Sequence, residues 1–297
     1  MPKPLQPPGL ACCPVKQTDF LDQKRLEAAL VAGGQYHAIS VVDQIDSTNA
    51  QLLSAPSPGH MTALLAEHQT QGRGRLEAGP IGATRTWQAP PLRALLLSVL
   101  VRPRVGGPQL TLAMALAALE AINETGPPRL VSPLGPRPVT QDRHLSIKWP
   151  NDLIIGHKKL GGILAQVGAD GRIVVGLGLN VHQSQSELPS QAATSLRLEG
   201  YQTNRTELAI SILEGFGRHY RTWRARPASL IDQVRPHMST LGQVVMASLL
   251  GGRTLTGTAI DLDQAGRLSL RLDSGRLASL DAGEVTHLRP GSLSRKA

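Results

Sequence analysis

Two short segments hold most of the side chains that could do chemistry. The first is Gln69-Thr70-Gln71-Gly72-Arg73-Gly74-Arg75. The second is Lys148-Trp149-Pro150-Asn151-Asp152, followed seven residues later by Lys159-Leu160-Gly161-Gly162. Glycines alternating with arginines let the backbone approach a ligand closely while carrying two permanently charged, planar donors. The second segment brings two lysines and an aspartate around a rigid Trp-Pro turn. That inventory suits an anionic ligand, above all a phosphorylated one.

Each segment also has a plainer reading. Gly-Arg repeats occur in solvated, RNA-binding tails, but those are long and low in complexity. Here the repeat is four residues wedged between an apolar strand, 62–66, and Trp87, so it is read as a ligand loop leaving the end of a core strand. Asp46-Ser47-Thr48-Asn49 follows a strand at 41–45, and Thr48 with Gln51 has capping-box spacing, which predicts a helix start. These hydroxyls are either a cap alone or a cap whose helix N-terminus also faces a ligand. Asn180, after Gly178-Leu179, is either a turn residue or a ligand contact. His157 lies at a turn tip and is expected to be solvated.

The surrounding pattern must position these groups. A short helix is expected over 19–31, closed by Gly33-Gly34, and a buried strand at 94–101. Gly107-Pro108 opens a largely buried helix through Asn123, with Met114 as core filler. Five prolines mark 126–144 as a surface insertion. A β-meander follows at 145–148, 153–155, 161–167 and 172–179, with Lys148, Asp152 and Lys159 near its turns. Leu208, Ile212, Leu213, Phe216, Tyr220 and Trp223 recur at helical steps within 206–224, and their aromatics are expected to pack against the sheet. A second short helix is expected at 229–234. From Leu241 the period changes to short strands at 243–247, 253–260, 267–272, 276–280 and 285–288, which indicates a small β-barrel appended to the larger domain. The expected division is a loose tail over 1–18, a catalytic domain over 19–238, the barrel over 239–291, and a tail over 292–297.

Composition narrows the classes. The chain has 297 residues, enough for one large and one small domain, and only 3% aromatics, so aliphatic residues must fill the core. The formal charge of +9 fits nucleic acid, an acidic protein or a phosphorylated small molecule, and also a plain arginine-rich enzyme. A nucleic-acid-binding module lacks interleaved aromatics and a groove-reading helix here. Cys12 and Cys13 are adjacent in the Pro-rich tail and suggest neither a disulfide nor a zinc site. No apolar run is long enough for a membrane span, and no secretion signal opens the chain, so a cytoplasmic protein is expected.

Taken together, the segments resemble the biotin protein ligases. The matches run in order from Asp46-Ser47-Thr48-Asn49 through Glu67-His68-Gln69-Thr70-Gln71-Gly72-Arg73-Gly74-Arg75 to Lys148-Trp149-Pro150-Asn151-Asp152. They continue with Lys158-Lys159-Leu160-Gly161-Gly162-Ile163-Leu164, Gly176-Leu177-Gly178-Leu179-Asn180 and Ala282-Gly283-Glu284-Val285. The resemblance implies an α+β fold: a catalytic domain like that of class II aminoacyl-tRNA synthetases, with a mixed, mostly antiparallel sheet and helices, plus a small SH3-like β-barrel. It implies an enzyme that uses ATP and Mg²⁺ to form biotinyl-5′-AMP. The biotin then passes to a lysine of a biotin carboxyl carrier protein of acetyl-CoA carboxylase. Only about 20 helix-capable residues precede the first strand, so the type without a DNA-binding head is expected. The chain departs from the family in one respect: 76–84 intervene before Arg85-Thr86-Trp87, where the family has Gly-Arg and Trp almost at once.

The roles that the resemblance implies divide the cleft between two ligands. Arg73, Arg75, Lys148, Asp152 and Lys159 form the catalytic set, with Lys159 at the junction of carboxyl and phosphate and Asp152 orienting Lys148 or the ligand. Ser47, Thr48, Asn49 and Gln69 bind the ureido ring and tail of biotin, together with Arg73, Gly74, Arg75, Lys159 and Gly161. Arg75, Lys148, Asn151 and Asn180 are implied on the nucleotide side, and no metal ligands are named. A lipoate or octanoate ligase or transferase on the related fold is the alternative; its cysteine-nucleophile form is disfavoured by where Cys12 and Cys13 lie.

Overall fold

The computed structural model describes residues 19–76, 84–104, 106–126, 131–132, 135–136, 144–249, 252–281 and 284–287. The expectations for both tails, for Cys12 and Cys13, for Ala282-Gly283 and for most of the 126–144 insertion lie outside these residues. The strands are β1 (Ala38–Ile45), β2 (Thr62–Gln69), β3 (Gly72–Leu76), β4 (Thr84–Trp87), β5 (Ala94–Val101), β6 (Val131–Ser132) and β7 (Gly135–Pro136), then β8 (Leu145–Lys148), β9 (Asp152–Ile155), β10 (Lys158–Val167) and β11 (Ile173–Asn180). Seven of them form one sheet in the order β1-β2-β5-β11-β10-β9-β8, with β8 to β11 as a meander. Every pairing in it is antiparallel except that of β1 with β2.

Alternation along the central strands decides which face is core. Ile173, Val175, Leu177 and Leu179 of β11, with Leu95, Leu97, Val99 and Val101 of β5, belong to the main hydrophobic cluster. Helix α1 spans Gln23–Leu30, α2 Thr48–Ser54, α3 Leu110–Glu124, α4 Arg205–Ala225 and α5 Pro227–Val234. The core face is covered by α3, whose residues are buried almost all round because the sheet lies on one side of it and α4 on the other. The aromatics of α4 therefore do not pack on the sheet as expected. Phe216, Tyr220 and Trp223 lie in the helical layer, with ring centroids 6.3 and 5.7 Å apart in sequence order. A Cβ on Gly215 would lie 3.1 Å from that of Ala117, so the two helices meet closely there.

The first two helix starts differ from the expected positions. The first helix begins at Gln23, capped by Asp22, because Asp19 is drawn away to bind His182 and Arg205. The cap of α2 is Ser47, not Thr48: Ser47 Oγ accepts from Ala50 N at 3.4 Å, while Thr48 is the first helical residue and bonds elsewhere.

The C-terminal strands are β12 (Val244–Ser248), β13 (Thr254–Leu262), β14 (Leu268–Leu272), β15 (Leu277–Leu280) and β16 (Glu284–His287). They form an antiparallel sheet in the order β15-β14-β13-β12-β16, and among the described residues no ladder joins β15 to β16. Its apolar face, including Val245, Ala259, Leu268 and Leu270, is continuous with the main core. Trp149 stitches the two sheets together: its backbone N–H donates to Thr240 Oγ1 and its indole N–H to Gly266 O, both at 3.0 Å. Among the described residues no helix is long and apolar enough to cross a membrane.

Candidate active site

The face of the sheet opposite α3 is where side chains are missing. On that face β11 carries Val174, Gly176 and Gly178, and β10 carries Gly162 and Leu164, while the short α2 covers one part of it, through Leu52 against Leu64, Leu100 and Val174. The glycines leave a cleft whose open space is about 1020 Å³, mouth included. Two of the glycines are required by neighbours. A Cβ on Gly178 would fall 2.6 Å from the Trp87 indole, and one on Gly176 would fall 2.2 Å from Asn49 Oδ1.

Sheet register sets the spacing of the chemistry. Lys148 pairs with Asp152, Asp152 with Gly162, and Gly162 with Gly178, so four strands contribute one lateral row. Neighbouring strands lie about 4.8 Å apart, which puts Lys148 roughly 14 Å from the Gly178 floor.

One end of the cleft is uncharged. Ser47, Thr48 and Asn49 at the start of α2 are 2, 3 and 5% exposed, yet all three line it. Gln69, at the end of β2, accepts at Oε1 from Thr48 N (2.7 Å) and Thr48 Oγ1 (3.0 Å). Asn49 Nδ2 donates to Leu164 O and Gln166 Oε1 at 3.2 and 2.9 Å.

The other end is cationic. Arg73, Arg75, Arg85, Lys148 and Lys159 line it, against Asp152 as the one carboxylate among the described lining residues. Such an excess of positive charge in a concave site favours an anionic occupant. Lys159 Nζ lies 2.8 Å from Asp152 Oδ1, so the partner of Asp152 that the geometry gives is Lys159, not only its strand neighbour Lys148. Arg75 Nη1 donates to Asn151 Oδ1 at 3.3 Å, and Asn151 Nδ2 to Ile163 O at 2.6 Å.

Thus Ser47, Thr48, Asn49, Gln69, Arg73, Gly74, Arg75, Lys148, Asn151, Asp152 and Lys159 come together in one cleft. Gly161 and Asn180 are not among its lining residues. Gly161 follows a register shift in β10, and a Cβ there would meet Gly178 O at 2.9 Å, facing the neighbouring strand. Asn180 is 4% exposed; its Nδ2 donates to Thr194 O and its Oδ1 accepts from Gln183, both at 2.9 Å. The Gly-Arg segment is not an irregular loop: Gly72 and Arg73 pair with Trp87 and Thr86 in the β3–β4 ribbon. Gly72 allows this ribbon, since a Cβ there would lie 2.4 Å from Trp87 O. The ribbon adds Arg85, Thr86 and Trp87 to the lining, and Val285 joins it from the C-terminal sheet. Sequence reasoning assigned none of these four to the site. The spacing of Arg85 and Trp87 after the glycines was the available signal for those residues, and for Val285 it was the matching Ala282-Gly283-Glu284-Val285 segment.

Comparison with known proteins agrees along most of the chain. Residues 41–184 match the biotin/lipoate A/B protein ligase family and residues 240–288 the biotin protein ligase C-terminal domain. The chain is 35% identical to the biotin–acetyl-CoA-carboxylase ligase of Mycobacterium tuberculosis, over 91% of this chain and 96% of that protein. It is 28% identical to the bifunctional ligase/repressor BirA of Bacillus subtilis, over 81% of this chain and 70% of that one. Among solved structures, the biotin protein ligase of Aquifex aeolicus in complex with biotin and ATP superposes with a TM-score of 0.68 at 25% identity, covering 86% of this chain and all of that one.

Proposed function

The chain belongs to the biotin protein ligase family, and from that premise we propose how its cleft works. The enzyme is a biotin–carboxyl-carrier ligase: it joins biotin to AMP and passes the biotinyl group to a lysine of a carrier protein. In the first step the biotin carboxylate attacks the α-phosphorus of ATP and pyrophosphate leaves. In the second a lysine amine of the carrier attacks the mixed anhydride, and AMP leaves with the bonding electrons. Both ligands of the first step are anions, so their mutual repulsion is the barrier the protein must lower. The observation that carries the reading is the convergence of Arg73, Arg75, Lys148 and Lys159 on one end of a cleft whose other end is uncharged.

In this reading Lys159, steadied by Asp152, sits at the carboxyl–phosphate junction, while Arg73 and Arg75 clamp oxygens of both. Lys148 and Asn151 serve the nucleotide, and Ser47, Thr48, Asn49 and Gln69 hold the biotin ring and tail. Mg²⁺ fits as a companion of the triphosphate. Among the described residues no three His, Cys, Asp or Glu gather to hold a metal, and Mg²⁺ is commonly held by one or two carboxylates plus phosphates. Asp152 is the carboxylate at hand, and the ion would neutralise phosphate charge. The acceptor we propose is the carrier domain of a carboxylase in the cytoplasm, with an acidic surface that meets the basic chain.

A lipoate ligase is the nearest rival, since the matching family includes lipoate enzymes. A dithiolane ring offers no hydrogen bonds, however, whereas Thr48, Asn49 and Gln69 line this end of the cleft with polar side chains that suit a polar ring. ATP–pyrophosphate exchange with biotin, lipoate or octanoate as the sole acid tests this. Exchange is expected with biotin; exchange only with lipoate or octanoate would overturn the reading.

A further inference from the structure

Ser98 is the lone polar residue in the apolar run of β5; it is fully buried and does not line the cleft. Its Oγ lies 2.7 Å from Thr48 Oγ1 and 2.6 Å from Asn49 Oδ1, while Thr48 Oγ1 lies 3.0 Å from Gln69 Oε1. Three contacts therefore share two hydroxyl protons.

The partners decide how those protons are spent. Leu164 O can only accept, so Asn49 must turn its Nδ2 there and to Gln166, which leaves Asn49 Oδ1 as an acceptor beside the Ser98 hydroxyl. Ser98 gives its proton to Asn49. The proton of Thr48 then goes to Gln69 Oε1 or to Ser98 Oγ, and both are protein acceptors. Either way none remains for a ligand, so Thr48 Oγ1 meets one through a lone pair. Gln69 Oε1 is already taken by the Thr48 amide N–H, which leaves Nε2 as the donor that Gln69 offers.

We propose that Ser98 is a positioning residue that fixes the polarity of this end of the cleft, acceptor at Thr48 beside donor at Gln69, and so selects a ring carrying N–H next to C=O. The inference rests on the ligase reading and explains which acid that cleft prefers. Alanine at 98 removes the donor to Asn49 and one of the two acceptors for Thr48. Thr48, with one protein acceptor fewer, can then turn its proton to a ligand, while Asn49, still held through Nδ2 by Leu164 and Gln166, is left with a bare Oδ1.

The test compares biotin with its two cyclic carbamate isomers, in which a ring oxygen replaces one N–H, by kcat/KM in ATP–pyrophosphate exchange. The wild type should favour biotin over at least one isomer by on the order of a hundred-fold. Ser98→Ala should shrink that ratio about ten-fold and raise the KM for biotin without a matching change for ATP. Ser98→Thr, which keeps the hydroxyl, should restore it. Ser98→Cys, close to isosteric with weaker hydrogen bonds, should shift the ratio the same way if alanine proves unstable. An equal fall for biotin and the carbamates, with the ratio intact, would reduce Ser98 to a packing residue and overturn the proposal. A wild type that shows no exchange with biotin would instead sink the ligase reading itself.

Discussion

At the scale of single residues, the two ends of the cleft differ in how their groups are held. Lys159 and Asp152 are partly solvated, with side chains 39 and 23% exposed, so their 2.8 Å pair contributes aim rather than stability. Losing one charged donor from a closed site costs roughly 2–4 kcal/mol, a factor of tens to hundreds in rate. Lys159→Ala should slow adenylate formation by that factor with little change in melting temperature, measured by single-turnover assay and calorimetry. Arg73 stands exposed on β3 and lines the cleft. Arg73→Ala should raise the release of biotinyl-AMP into solution relative to carrier biotinylation; an unchanged release rate would remove this role. These charged positions were legible in the sequence because Gly-Arg alternation and the Lys-Trp-Pro-Asn-Asp string have few structural uses. Ser98 was not: one serine in an apolar strand looks like any tolerated polar residue until its neighbours are in place.

At the scale of elements, the cleft exists because β11 alternates large apolar residues with glycine, so one face builds the core while the other recedes. The Trp87 indole fills the space over Gly178. Gly178→Ala should therefore push Trp87 off the floor and raise the KM for biotin about ten-fold or more, with a change in tryptophan emission on ligand binding as the second readout. The meander, the apolar strand β5 and helix α3 followed from periodicity, which reports burial directly. Periodicity could not show that α3 would separate α4 from the sheet, since a helix buried on all sides hides its layer. Nor could it show that the Gly-Arg segment pairs as a ribbon, because its partner, β4, lies across a long intervening segment.

At the scale of the molecule, distant segments are tied through buried charge. Arg205, with no exposed side chain, meets Glu67 Oε2 at 2.7 Å and Asp19 Oδ2 at 3.4 Å, while His182 Nε2 lies 2.6 Å from Asp19. Burial raises the Asp19 carboxyl, but hydrogen bonds from His182 and Arg205, with their charge, outweigh it and hold the group below its usual 3.8. A carboxylate depressed on folding stabilises the fold fully above its unfolded value and loses that contribution as pH falls through the folded one. Stability should thus decline below about pH 4, and Asp19→Asn should flatten this acid limb in melting temperature against pH. Trp149 joins the two sheets, and Val285 reaches from the smaller one into the wall of the cleft. Attempts to miniaturise this catalyst by ending it at the last helix would accordingly strip a buried indole of its cover and unseal the chamber. A compact form of this catalyst has to carry the C-terminal sheet, β12 to β16, with it.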